Sequence, residues 1–191
     1  SKGSVQPGVD PAELSKQRHA EQQKAADILG VNEVIYLDHV DGEIFNTTEL
    51  RRDIVEQIRR HKPDLVITHD PTTYIINNSY INHPNHRNVG ATVLDCVFPL
   101  ARSPYNFPEQ IEAGLEPHAV MDVLLQFTSE PNLWVDISET IEQKIEALKA
   151  HTSQTGKRDN LAELLKERAS ERAKDQPFEY AEQFRHIKLS R

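Results

Sequence analysis

"DLVITHD", residues 64–70, is a nearly continuous apolar run rich in β-branched residues. Strands buried on both faces of a parallel sheet read this way. Pro63 stands in front of it and stops what precedes. That preceding stretch, "NTTELRRDIVEQIRRH" (46–61), sets Leu50, Ile54, Val55 and Ile58 at helical spacing on an otherwise charged surface, with Asn46 or Thr47 as cap. Beyond Asp70 a polar loop rich in Asn, Thr and Tyr runs to residue 85. From about His86 to Phe98, Val89, Val93, Leu94 and Val97 mark one apolar helical face.

The same alternation extends outward. Asp10-Pro11 with Glu13 opens a helix that runs to Leu29, where Gly30 supplies the terminator. "EVIYL" (33–37) follows as a short strand and "HVDGEIF" (39–45) as a turn. A Pro-punctuated excursion (99–118) leads to strands at 121–127 and 133–137. Ser138 then caps a helix to about His151, and the charged tail 158–187 is helical in pattern. Alternating strands and helices predict an α/β, Rossmann-like, mostly parallel sheet with helices on both faces and a helical tail. Residues 1–157 form the main domain and 158–191 an extension packed on it. Ligands of such sheets sit at the carboxyl ends of the strands, here the loops starting at Asp38, at His69 and after Phe127.

Composition narrows the partners. Thirty Asp and Glu against 22 Lys and Arg give a formal charge of −8 over 191 residues, which argues against nucleic acid and anionic lipid. The single cysteine, Cys96, excludes an internal disulfide and a Cys-based zinc finger, and a reducing cytoplasm is its simplest home. No stretch approaches the roughly 20 apolar residues that span a bilayer. G-x-G-x-x-G, P-loop and G-x-S-x-G patterns are missing.

The chemistry concentrates at "INHPNHRNVG" (81–90), where His83 and His86 lie three apart among Asn82, Asn85, Arg87 and Asn88. Pro84 disfavours helical geometry at His83, so His83 belongs to the loop and His86 to the first turn of the helix. Neutral imidazole is a common zinc ligand, and an unligated one serves as general acid. Asp70, ending the preceding strand, is placed to orient an imidazole from behind. Two histidines alone make a poor site, because catalytic zinc takes three protein ligands. His19, His39 and His61 read as solvated, Arg18 and Glu21 as an exposed ion pair, and Trp134 as core.

Read in order, several segments resemble the LmbE-like (PIG-L) zinc-dependent de-N-acetylases. "RHAEQQKAADILGV" (18–31) is similar to that family's R-x-x-E-x-x-x-A-A-x-x-L-G-V helix, and "VDGEI" (40–44) to its aspartate turn. "KPDLVITHDP" (62–71) is similar to its central strand, "HPNHRNVG" (83–90) to its H-P-D-H-x-x-x-G signature, and "AHTSQ" (150–154) to its H-x-S-Q helix end. The resemblance implies a zinc-dependent hydrolase that removes an acetyl group from a small N-acetylated, GlcNAc-type sugar. His86 is then a zinc ligand and His83 the catalytic residue that stabilises the tetrahedral intermediate and protonates the leaving amine. Arg18 and Asp41 hold sugar hydroxyls, with Asp70 and Asn85 counted among the substrate-facing residues. A water activated by zinc and deprotonated by a carboxylate attacks the acetamide carbonyl.

Two departures accompany the resemblance. Nothing matches the family's A-H-P-D-D-E segment, which supplies the other histidine ligand, the aspartate ligand and the base. "SKGS" (1–4) resembles the end of its glycine loop, so one βαβ unit is expected upstream and these 191 residues alone are expected to bind zinc weakly and be inactive. Asn85 stands where the family has Asp, which removes a charge beside the histidines. A non-catalytic sugar-binding α/β domain is the alternative, an interaction protein using its charged tail a third reading, and a homo-oligomer stays open.

Overall fold

The computed structural model describes residue 8 and residues 10–76, 78–156 and 158–190, so the "SKGS" opening lies outside the described part. Two compact units divide the chain: Ser1–Asp38 with Trp134–Gln183, and His39–Leu133 with Phe184–Arg191. The tail is therefore shared between them. No helix among the described residues is long and apolar enough to cross a membrane.

The first unit is built on α1 (Pro11–Leu29), which starts and stops where its sequence requires. The Asp10 carboxylate accepts from the Ala12 N–H at 2.9 Å, Pro11 fills the first turn, and Gly30 takes φ 71°. Ala25 and Ile28 of α1 pack on Ala147 and Ala150 at the end of α5 (Ile141–Lys149). Ile137, Ile141 and Ile145 meet Ala169 of α7 (Leu161–Ala173), with Tyr180 against them. Ser138 does not cap α5. Its hydroxyl donates to Asp136 Oδ1 at 2.6 Å and accepts from the Glu179 and Tyr180 N–H groups, tying the end of β5 (Leu133–Asp136) to the opening of β6 (Ala181–Lys188). "EVIYL" also departs from expectation. It forms no strand, and Ile35 and Tyr36 stay exposed.

Glu21 is not half of an exposed ion pair. Its carboxylate is buried and accepts from the Thr152 hydroxyl (2.8 Å), the Ser153 N–H (2.8 Å), the Ser153 hydroxyl (2.6 Å) and the Gln17 amide (3.0 Å), which fastens α6 (Thr152–Thr155) to α1. Burial pushes its pKa up, but the hydrogen bonds from Ser153, Thr152 and Gln17 outweigh burial and hold it below the ordinary value. Its stabilising contribution is therefore complete above the unfolded carboxyl's pKa and is lost as pH falls through the folded one. Glu21→Ala is expected to lower stability by about 2–3 kcal/mol at neutral pH, the cost of charge-assisted bonds whose donors are left unpaired. Urea unfolding at neutral pH and at about pH 3 checks this. The gap between wild type and variant narrows in acid; a gap of constant size would contradict it.

In the second unit, α2 (Thr48–His61) is capped by the Thr47 hydroxyl, ends at Lys62, and leads into β1 (Leu65–His69). β1 runs parallel to β4 (Asp122–Gln126), and β4 runs antiparallel to the close of β6. The expected α/β class holds, but the sheet is mixed. The end of the tail read as helix is strand: "AEQFRHIK" (181–188) finds an unpaired β4 edge to join, and its backbone groups are satisfied there. β1 is likewise less buried than its run of apolar residues suggests, since Leu65 and Ile67 remain 43% and 54% exposed. The core behind the sheet gathers Val55 and Ile58 of α2, Val97 and Cys96, and Val120, Val123 and Leu125.

Arg59 sits in this core, 1% exposed. Its guanidinium donates to the carbonyls of Leu100, Ala101, Ser103, Asn106 and Phe107 and to Gln110 Oε1, at 2.8 to 3.4 Å. One side chain thus organises the excursion 99–118, including the short helix α4 (Pro108–Glu112). The polar loop after Asp70 contains a small hairpin, β2 (Ile75–Ile76) with β3 (Tyr80–Ile81). Asn82 closes it by donating from its backbone N–H to the Tyr74 carbonyl and from its amide to the Thr73 carbonyl.

Candidate active site

Helix α3 (Pro84–Asp95) opens as its sequence requires. Pro84 occupies the first turn, and His83 is the extended cap residue at φ −57°, ψ 135°. Its Nδ1 accepts from the Asn85 N–H at 3.1 Å. That bond commits the Nδ1 lone pair, so the neutral ring carries its proton on Nε2. His86 follows within the first turn, as expected from Pro84. Gly90, one turn further on, is what lets α3 approach β1. A Cβ there would stand 2.3 Å from the His69 carbonyl oxygen and 3.3 Å from Pro71 Cδ.

This approach assembles a hollow of about 300 Å³ lined by Asp41, Ile44, His69, His83, Asn85, His86 and Val89. Four of the six residues predicted from the sequence meet here: Asp41, His83, Asn85 and His86. The His86 ring is partly buried in the hollow rather than turned to bulk solvent. The Asn85 amide donates to Asp41 Oδ1 at 2.8 Å, so the residue standing in place of an aspartate holds the aspartate turn instead. Asp70 does not line the hollow. It is buried, accepts from the Thr72 N–H (2.8 Å) and hydroxyl (2.6 Å) and from Thr128, and bonds neither histidine. Arg18 is carried by α1 in the first unit.

The residue that sequence reasoning missed is His69. Its ring lies on that of His86 with centroids 4.1 Å apart and planes 7° from parallel. The only hint was its place at the end of the strand, where ligands of parallel sheets gather. Burial, reinforced by His86, lowers its pKa to about 4. Burial likewise lowers that of His86, with His83 adding to the shift and Asp41 opposing it. Both rings are neutral at neutral pH, and a neutral ring offers a lone pair to a metal. His69 and His86 cannot share one ion, because rings lying flat on each other direct their lone pairs along parallel planes, which do not converge at the about 2.0–2.1 Å of a zinc–nitrogen bond. His83 and His86, tilted by 44° with centroids 5.4 Å apart, face each other differently. Among the described residues no three His, Cys, Asp or Glu side chains gather as a metal site. His86 thus suits zinc as one ligand of an incomplete set.

Comparison with known proteins follows the same line. Residues 1–97 match the family described as PIG-L, GlcNAc-PI de-N-acetylase. The chain is 36% identical over 154 residues to the diacetylchitobiose deacetylase of Thermococcus kodakarensis, an alignment covering 81% of this chain and 55% of that protein. It thus spans about half the length of the curated relatives it matches. Among solved structures it resembles the N,N'-diacetylchitobiose deacetylase from Pyrococcus horikoshii, complexed with its inhibitor MPG, with a TM-score of 0.86 and 28% identity over 98% of this chain and 69% of the other. It also resembles GalB, the 4-carboxy-2-hydroxymuconate hydratase from Pseudomonas putida KT2440, with a TM-score of 0.74 at 16% identity over 98% of this chain and 77% of that one, a likeness of fold alone. The matched segment contains α1, the aspartate turn, β1 and the His83–His86 pair, and on that match the chain belongs to the PIG-L de-N-acetylase family.

Proposed function

We propose that the parent protein is a zinc-dependent hydrolase that removes the acetyl group from an N-acetylated sugar of the GlcNAc type. The observation that carries this reading is the convergence of Asp41, His83, Asn85 and His86 on one hollow at the carboxyl edge of β1. The names of the relatives supply the substrate class. His86 would be one metal ligand, and no complete ligand set gathers among the described residues. Zinc, when bound, polarises the acetamide carbonyl and activates water.

The remaining work belongs to this chain's own side chains. With Nδ1 of His83 held by the Asn85 N–H, its Nε2–H is left to donate a hydrogen bond to the oxygen that becomes negative in the tetrahedral intermediate. Asp41 and Asn85 fix each other through one hydrogen bond, leaving a carboxylate oxygen and an amide oxygen for sugar hydroxyls. Asp70 acts through the loop that it braces, and Arg18 stands as a hydroxyl ligand on its motif alone. The single buried thiol, Cys96, suits a reducing cytoplasm.

The test separates the two histidines. In the full-length protein, His86→Ala loses both zinc, by metal analysis, and acetate release from N,N'-diacetylchitobiose. His83→Asn retains a capping side chain and zinc while acetate release falls by about 10²–10⁴-fold. Wild-type protein that binds the sugar without releasing acetate would favour the binding-domain alternative.

A further inference from the structure

We infer that Phe127 is the platform on which the substrate's pyranose ring lies, a role that rests on the deacetylase reading above. Phe127 follows β4 directly, at the edge where ligands of the parallel β1–β4 pair bind. Along β4, Val123 and Leu125 point into the core, and strict alternation would carry residue 127 to the same face. It does not go there. Its backbone takes φ +54°, a left-handed conformation that aromatic residues rarely adopt, and the ring emerges 49% exposed.

The strain is held from both sides. The Gln126 carbonyl accepts from the Asp70 N–H at 2.9 Å, and the Thr128 side chain bonds the Asp70 carboxylate. The Ser129 N–H donates to the Thr73 hydroxyl at 3.2 Å. A strained residue over-determined by its surroundings marks a functional position more often than a packing one. Here the outcome is a ring nearly parallel to two rings of the hollow, 5.7 Å and 11° from His69, and 6.5 Å and 17° from His86.

An aromatic face spared from the core beside the His69 and His86 rings, which line the hollow with Asp41, Asn85 and His83, fits a ligand with one apolar face and polar edges. A pyranose with equatorial hydroxyls is such a ligand: its axial C–H groups lie flat on an aromatic ring while its hydroxyls and acetamide reach the polar side chains. This also gives the Asp70 brace a purpose, since it fixes the backbone on both sides of the platform.

Phe127→Gly tests the idea, because glycine adopts φ +54° freely and removes only the ring. In the full-length protein, binding of N,N'-diacetylchitobiose, followed by saturation-transfer NMR, is expected to weaken about tenfold or more while the melting temperature holds or rises. Phe127→Trp retains binding. A glycine variant that binds as wild type overturns the platform alone, and so does one whose melting temperature falls along with binding, since that marks a packing residue. A wild-type protein that does not bind the disaccharide overturns both this inference and the deacetylase reading.

Discussion

Replacing Gly90 with alanine is expected to disable the site while leaving every residue of the hollow in the sequence. The added methyl meets the His69 carbonyl oxygen at 2.3 Å, and that oxygen belongs to the backbone ending β1, which cannot rotate aside as a side chain would. Either α3 lifts from β1 or the loop through Pro71 moves. Both separate the His69 and His86 rings, which now stack at 4.1 Å. Alanine gains about 1 kcal/mol of helix propensity over glycine. Overpacking against fixed backbone costs about 1–3 kcal/mol or more. A modest net loss of stability therefore accompanies a large loss of function, since a displacement of about 1 Å at a reacting group lowers rates by about 10²-fold. Chemical denaturation and acetate release from the full-length protein measure the two effects. An alanine variant that is more stable and fully active would mean that α3 is free to shift without consequence, and the account of the hollow would fail with it.

Arg59→Met should produce the largest loss of stability. Methionine fills much of the same volume but leaves five carbonyls and the Gln110 amide oxygen without their donor. Truncating the charged member of a buried polar network costs about 3–5 kcal/mol. Arg59→Lys keeps the charge but not the planar fork, and three donors on one nitrogen cannot serve acceptors spread from Leu100 to Gln110. It is expected to be nearly as harmful. Urea unfolding midpoints decide the matter. A methionine variant within about 1 kcal/mol of wild type would show that the excursion 99–118 holds its shape without the guanidinium.

How much of this was legible beforehand varies with how local the signal is. The caps of α1 and α2, the restriction of His83 by Pro84 and the turn at Asp41-Gly42 are dictated by one or two neighbouring residues, and the structure keeps them. The candidate residues at 41, 83, 85 and 86 came together because the strand–turn–helix grammar fixes where a parallel sheet gathers ligands. Pairing is what the sequence hides. "EVIYL" has the composition of a strand and no partner among the described strands, whereas "AEQFRHIK" reads as helix until the β4 edge claims it. His69 and Phe127 were missed for the same reason. Their meaning lies in rings contributed by segments far apart in the chain, and neither sits in a motif. Glu21 and Arg59 looked like surface charges because helical periodicity marks which face is apolar, not which charge will find acceptors inside.

The histidine at position 83 has its two nitrogens assigned to separate duties. One is the latch of a helix, and the other is left free at the hollow. Hydrogen bonds made and broken at Nε2 leave the latch undisturbed. The latch works only while Nδ1 keeps its lone pair for the Asn85 N–H, so a metal could reach this ring through Nε2 alone.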